Sequence, residues 1–249
     1  MDASGTLVTT PLLDKLTWSS RKIYTYNPAA TSTLINFEWS SLTSTMQGYF
    51  QMAALSSLSQ MCASGGKCLV STSQVDSTTA GTTTGAGGIN LVNFLRGDRS
   101  NEGSSTSKYY VARTHVLGDI VNSQAVYVQT PSFSYADDGY SAFKTAQASR
   151  TGMVYVGAND GMLHAFNAST GAEVWAYIPS MLLPKLYKLA DKKYAAKHVN
   201  LVDGPITRGD AYFGGAWHTI LVGGLGEGGR GFYALDVTSP SAPQVLGEF

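Results

Sequence analysis

The chain has 249 residues, room for one large or two modest domains with a sizeable core. Lys plus Arg and Asp plus Glu number 17 each, so there is no basic excess of the kind that grips nucleic acid. Only 14% of residues are charged, Gly, Ser, Thr and Tyr abound, and no apolar run reaches the ~18 residues of a membrane span, a balance that suits a secreted or surface β-rich protein better than a cytosolic enzyme.

In chain order, the opening Met1-Asp2-Ala3-Ser4-Gly5 lacks the basic and apolar regions of a signal peptide, so an exported parent would carry this sequence as an internal piece. A short β-like stretch follows at residues 21–26. Between residues 40 and 61, Leu42, Met46, Tyr49, Phe50, Ala53, Ala54, Leu58 and Met61 recur at steps of three and four, which predicts a helix packed along one face. Cys62 and Cys68 flank a five-residue loop containing two glycines. The loop can bring the sulfurs together, so the pair reads as a structural disulfide of an oxidising compartment, the alternative being two unlinked thiols. Residues 71–88 are a Ser/Thr/Gly-rich loop with too little apolar surface to order itself. Ile89, Val92 and Leu95 then share a helical face, predicting one or two turns that lead into Arg96-Gly97-Asp98.

From Val116 onward a repeat governs the chain. Val154 to Asn167 and Leu221 to Val237 each read as a β-branched strand, a glycine-containing turn and a second strand ending in Ala-apolar-Asn/Asp, the two triplets standing about 70 residues apart. The Asn159-Asp160-Gly161 turn suits a tight hairpin, because these residues tolerate positive φ. One four-stranded blade is legible in residues 125–128, 153–157, 162–167 and 173–178, and a second in 206–213, 218–223, 231–237 and 244–249. Between them, Leu182, Leu183, Leu186 and Leu189 alternate with Lys185, Lys188, Lys192 and Lys193, predicting an amphipathic helical insertion at about 180–198 with a solvated lysine face. The expected fold is therefore mainly β: a partial, incomplete β-propeller of quinoprotein-like blades. Residues 1–115 form an α and irregular N-terminal decoration, and residues 116–249 form the first two blades. Two blades do not close a ring, so the parent should continue with more, and the open edges predict self-association of the isolated chain.

The run Leu201-Val202-Asp203-Gly204-Pro205 through Gly209-Asp210-Ala211-Tyr212, with Trp217-His218-Thr219 and residues 221–240, closely resembles the C-terminal propeller of the PilC/PilY family. Residues 92–98, 113–123 and 178–181 carry the same likeness, and Gly223 to Gly231 followed by Tyr233-Ala234-Leu235-Asp236 is its most specific stretch. The resemblance implies a secreted, non-enzymatic protein of type IV pilus biogenesis and pilus-tip adhesion, supporting surface piliation, twitching motility and attachment. It implies pilins or minor pilins and host-cell receptors as partners, and calcium regulation of the full-length parent through an Asp-x-Asp-x-Asp-Gly loop. Such a loop is absent here: Asp137-Asp138-Gly139 and Asn159-Asp160-Gly161 each offer two oxygen-bearing side chains where calcium takes about six to eight oxygens. No metal or other cofactor is expected in this fragment.

Arg96-Gly97-Asp98 matches the tripeptide recognised by integrins and is the candidate adhesion motif; its bland reading is a capped turn with local ion pairs. The Gly223 to Gly231 stretch lacks the Lys-Ser/Thr of a phosphate loop and precedes a strand, which makes it a wide hairpin. Four scattered histidines (115, 164, 198, 218), no nucleophile elbow and no paired carboxylates on one element give catalysis no footing. Trp175 and Trp217 are read as closing blade cores. The rival reading is a fragment of a periplasmic PQQ-dependent quinoprotein dehydrogenase, which predicts regular Trp-containing repeats; an envelope assembly scaffold would show short blades without insertions.

Overall fold

The computed structural model describes residues 12–29, 34–61, 86–105 and 108–249, so Cys62, Cys68 and most of the Ser/Thr/Gly-rich loop lie outside the described residues. Two sheets carry the architecture. The first contains β1 (Ile23–Tyr26), β2 (Leu34–Asn36), β3 (Val126–Val128), β4 (Met153–Ala158), β5 (Met162–Asn167) and β6 (Glu173–Ile178), in the order β2-β1-β6-β5-β4-β3. The second contains β7 (Ile206–Phe213), β8 (Ala216–Gly224), β9 (Phe232–Asp236) and β10 (Gln244–Glu248), in the order β10-β9-β8-β7. Both are antiparallel meanders in their blade portions, as the repeat predicts, and no closed barrel forms among the described residues.

The β4–β5 hairpin shows why the sequence folds this way. Its register runs from Met153↔Asn167 to Ala158↔Met162, and Gly161 closes the turn at φ 90°, a conformation that favours glycine. The first sheet differs from the expected four strands. The short stretch at residues 21–26 is not isolated decoration: β1 pairs in parallel with β6, and Thr25 donates its hydroxyl to the Ile178 carbonyl at 2.9 Å. The edge of β6 would otherwise expose unpaired backbone groups, and the β1–β2 hairpin covers it.

The sheets bury Tyr155, Trp175, Tyr177 and Tyr233, with the Tyr177 and Tyr233 rings 5.7 Å apart. Each Phe- or Leu-sized side chain buried in this way contributes roughly 1.5–3 kcal/mol before entropy is counted. Polar struts tie the sheets together: Trp175 Nε1 donates to the Pro240 carbonyl at 2.8 Å, and Glu248 accepts from the Tyr177 hydroxyl and from the Ser180 amide at 2.7 Å.

Two helical expectations are corrected. Residues 40–61 form no single helix but a 3-10 turn (Trp39–Ser41) and two short helices, Ser44–Gly48 and Met52–Leu55. Thr43 caps the first by accepting from the Met46 amide at 3.3 Å, and Gly48, a poor helix former, ends it. The apolar spacing still reports the core, since Leu42, Met46, Phe50 and Leu58 are buried. The insertion after β6 is a 3-10 helix, Ser180–Ala190, with a further turn at Tyr194–Ala196, where an amphipathic α-helix was expected. Pro184 sits inside it, lacks a donor and rejects the α-helical carbonyl four residues back. Leu182, Leu183 and Leu186 are nonetheless buried, packing beside the helix Gly88–Arg96.

Candidate functional site

The helix Gly88–Arg96 stops at Gly97, whose φ of 118° is left-handed, and the Gly97 and Asp98 amides donate to the Phe94 and Asn93 carbonyls, both at 2.9 Å. Arg96-Gly97-Asp98 is thus a helix stop. Arg96 is 5% exposed: its Nη2 pairs with Glu38 at 3.0 Å and donates to the Arg21 carbonyl at 3.3 Å, and its guanidinium lies 5.6 Å from the Trp18 ring. Asp98 folds onto its own turn, accepting from the Ser100 amide at 2.9 Å. Beyond it, Glu102 receives both Arg99 (3.2 Å) and Arg113 (2.7 Å), and the Arg113 guanidinium rests 3.8 Å from the centre of the Phe94 ring.

Beneath this corner a buried chain of charges crosses from the N-terminal segment into the first blade. Arg21 holds both oxygens of Glu173 (2.7 and 2.8 Å) and donates to the Arg96 carbonyl at 2.7 Å. His164, fully buried on β5, has Nδ1 2.7 Å from Glu173 and Nε2 3.0 Å from Asp160. Burial alone would strip the imidazole of its proton, yet Asp160 and Glu173 outweigh it and raise its pKa to about 9. Burial would likewise raise Glu173, but the hydrogen bonds from Arg21 and His164 hold it down to about 2. Asp160 is held low against its own burial by His164 and the Gly118 amide.

The hairpin turn itself is a hub. Asp160 accepts from the Gly118 amide at 2.9 Å, while Asn159 donates to Asp119 (2.9 Å) and accepts from the Leu201 amide (2.9 Å). These oxygens are committed to protein donors, so the turn does not fit a calcium ion, and among the described residues no group of three or more His, Cys, Asp or Glu could hold a metal. Beside the hub lies a mainly apolar cavity of about 620 Å³, walled by Leu95, Val111, Leu117, Leu189 and Tyr194.

Every histidine faces a carboxylate: His115 with Asp14 (2.7 Å), His198 with Asp119 (3.1 Å) and His218 with Asp236 (2.7 Å), besides His164. Sequence reasoning saw only scattered histidines and missed Arg21, Glu173 and Arg150 altogether. Arg150, 8% exposed, spans the sheets: it donates to the Gln129 carbonyl (2.7 Å) on one side and to Thr219 Oγ1 (3.0 Å) and the Thr238 carbonyl (3.4 Å) on the other. The available signal was a charged residue at or within three positions of the start of an apolar strand: Arg21 before β1, Arg150 before β4 and Glu173 at the head of β6. Trp175 closes a blade core as expected, whereas Trp217 is only half-buried and packs on the β7–β8 hairpin.

Two antiparallel blades, tied by buried tyrosines and polar struts and carrying long insertions, define an incomplete β-propeller scaffold. The chain belongs to the family of PilY1 beta-propeller domains, whose model matches residues 117–248. Among similar proteins are a type IV pilus biogenesis factor PilY1 homolog of Xylella fastidiosa, 47% identical over 163 residues (62% of this chain, 13% of the relative), and the type IV pilus biogenesis factor PilY1 of Pseudomonas aeruginosa strain PAK, 45% identical over 169 residues (65% and 14%). The chain thus spans about one-seventh of the length of these relatives. The crystal structure of the Pseudomonas aeruginosa PilY1 C-terminal domain aligns with a TM-score of 0.40 and 39% identity, over 49% of this chain and 24% of that one.

Proposed function

We propose that this chain forms the first two blades of the propeller of a type IV pilus biogenesis factor, working without catalysis in the assembly and surface presentation of pili, with attachment and twitching motility as companion roles. The observation that carries the reading is the 47% identity over 163 residues to a relative named for pilus biogenesis. Rigid sheets that display long loops give such a protein a broad docking surface. Its partners in this reading are pilins or minor pilins and host-cell receptors, and its place is the cell surface or pilus tip. No helix among the described residues is long and apolar enough to cross a membrane. Calcium, implied for the parent by the family resemblance, is assigned to acidic loops other than the Asp138 and Asp160 turns.

The test is deletion of the parent gene in its native host, complementation, and a count of surface pili by electron microscopy. Few or no pili, restored on complementation, supports the proposal. Normal piliation overturns it, and normal piliation with lost growth on an alcohol or sugar substrate would favour the quinoprotein dehydrogenase.

A further inference from the structure

We propose that one face of the β7–β8 hairpin binds a Lys- or Arg-bearing segment of a protein partner on an aromatic shelf with an acidic rim. Tyr212 and Trp217 are cross-strand partners, so their side chains share a face, with ring centres 5.6 Å apart at 63°. Trp217 stacks on Tyr135 at 5.6 Å and 15°, and Tyr135 on Phe133 at 5.3 Å and 7°. Tyr140 meets both Tyr135 and Trp217 edge-on at 4.8 Å. The shelf is held rigid from behind: Trp217 Nε1 donates to the Asp138 carbonyl at 3.0 Å, and the Tyr140 hydroxyl donates to Asp210 at 2.7 Å.

A clasp that only pinned the loop to the hairpin would need the inner rings alone. Tyr212 is 59% exposed and Tyr135 40% exposed, which extends the aromatic surface outward instead. Rigid Tyr and Trp rings of this kind are the usual energetic centres of protein contacts. Charge selects the partner. Ring faces are electron-rich, the exposed Asp137 and Asp138 lie in the same loop, and Lys144 on the adjoining helix (Tyr140–Ala146) turns its ammonium onto the Phe133 carbonyl at 3.0 Å. Arg208, two residues before Asp210 on β7, sits at the inner, Phe133 end of the shelf, away from the Tyr212 end. A guanidinium or ammonium arriving from outside therefore meets attraction from both the rings and the carboxylates.

The test titrates the full chain with an acetylated, amidated Gly-Arg repeat octapeptide and with its Gly-Glu counterpart, following the Trp217 indole N–H by NMR. The Gly-Arg peptide should shift that resonance saturably and the Gly-Glu peptide should not. Tyr212→Ala, and separately the Asp137→Asn/Asp138→Asn pair, should each weaken binding by about two- to five-fold with an unchanged thermal midpoint. The proposal is overturned if both peptides bind alike, if the variants bind the Gly-Arg peptide as the parent chain does, or if a neutral oligosaccharide and not the peptide gives the Tyr212-dependent shift. The pilus reading rests on family likeness and stands or falls separately.

Discussion

His164 holds a positive charge at 0% exposure because two carboxylates face it from opposite sides of the ring. Its pKa is raised from 6.5 to about 9, so the stabilisation it provides is fully present below pH 6.5 and is lost as pH rises through 9. Glu173, lowered from 4.5 to about 2, contributes stability that is present above pH 4.5 and is lost as pH falls through 2. The thermal midpoint should therefore decline between pH 6.5 and 9, and His164→Gln should flatten that decline; a parent and variant that decline in parallel would refute the assignment. At Arg96 a stability measurement separates two roles. Arg96→Ala removes a buried cation from Glu38 and from backbone carbonyls, and the expected cost is about 2–4 kcal/mol in chemical denaturation. A residue serving only a receptor would instead lose attachment with stability intact.

At the scale of elements, glycine placement explains the end of β8 and the stretch that follows it. A Cβ at Gly228 would lie 1.8 Å from the Leu201 carbonyl oxygen, and one at Gly223 would lie 2.2 Å from the Tyr233 ring. Gly228→Ala should cost about 3 kcal/mol or more, whereas Gly209→Ala, which meets nothing within 4 Å, should cost far less; equal midpoints in a urea titration would refute this reading. The blade hairpins were legible in the sequence because alternation and turn chemistry are local, as at Asn159-Asp160-Gly161. The placement of β1 was not, because its partner β6 lies about 150 residues away and nothing in a four-residue strand names it. The insertion was read with the wrong helix type because leucine spacing reports burial, while Pro184 decides the backbone. At the candidate site the Arg-Gly-Asp tripeptide was visible, but its inward-turned arginine follows from Trp18 and Glu38, distant in sequence.

For the whole molecule, the union of the two sheets is the quantity to test. Arg150 reaches three acceptors across it, and Arg150→Ala would leave two half-buried carbonyls and the buried Thr219 hydroxyl without this donor, at a cost of about 1–3 kcal/mol. Amide exchange should accelerate at β3 and β8 together if the arginine couples the sheets; acceleration confined to one would show that it serves that sheet alone. The outer strand β10 ends its sheet, with Leu246 exposed on it and Phe249 exposed just past it, so sedimentation should detect concentration-dependent association that Leu246→Lys suppresses.

The parallel pairing of β1 with β6 also bears on mechanics. With Ile23 opposite Ala176 and Thr25 opposite Ile178, the leading end of one strand and the trailing end of the other point in opposite directions along the pair. Tension drawn through the polypeptide at those two ends slides the strands past one another and loads their hydrogen bonds together, so rupture demands that several break at once. Antiparallel hairpins pulled from their open ends unzip bond by bond. A protein pulled through its N-terminal segment would load this seam in shear, where Arg21 and Glu173 add a buried rivet.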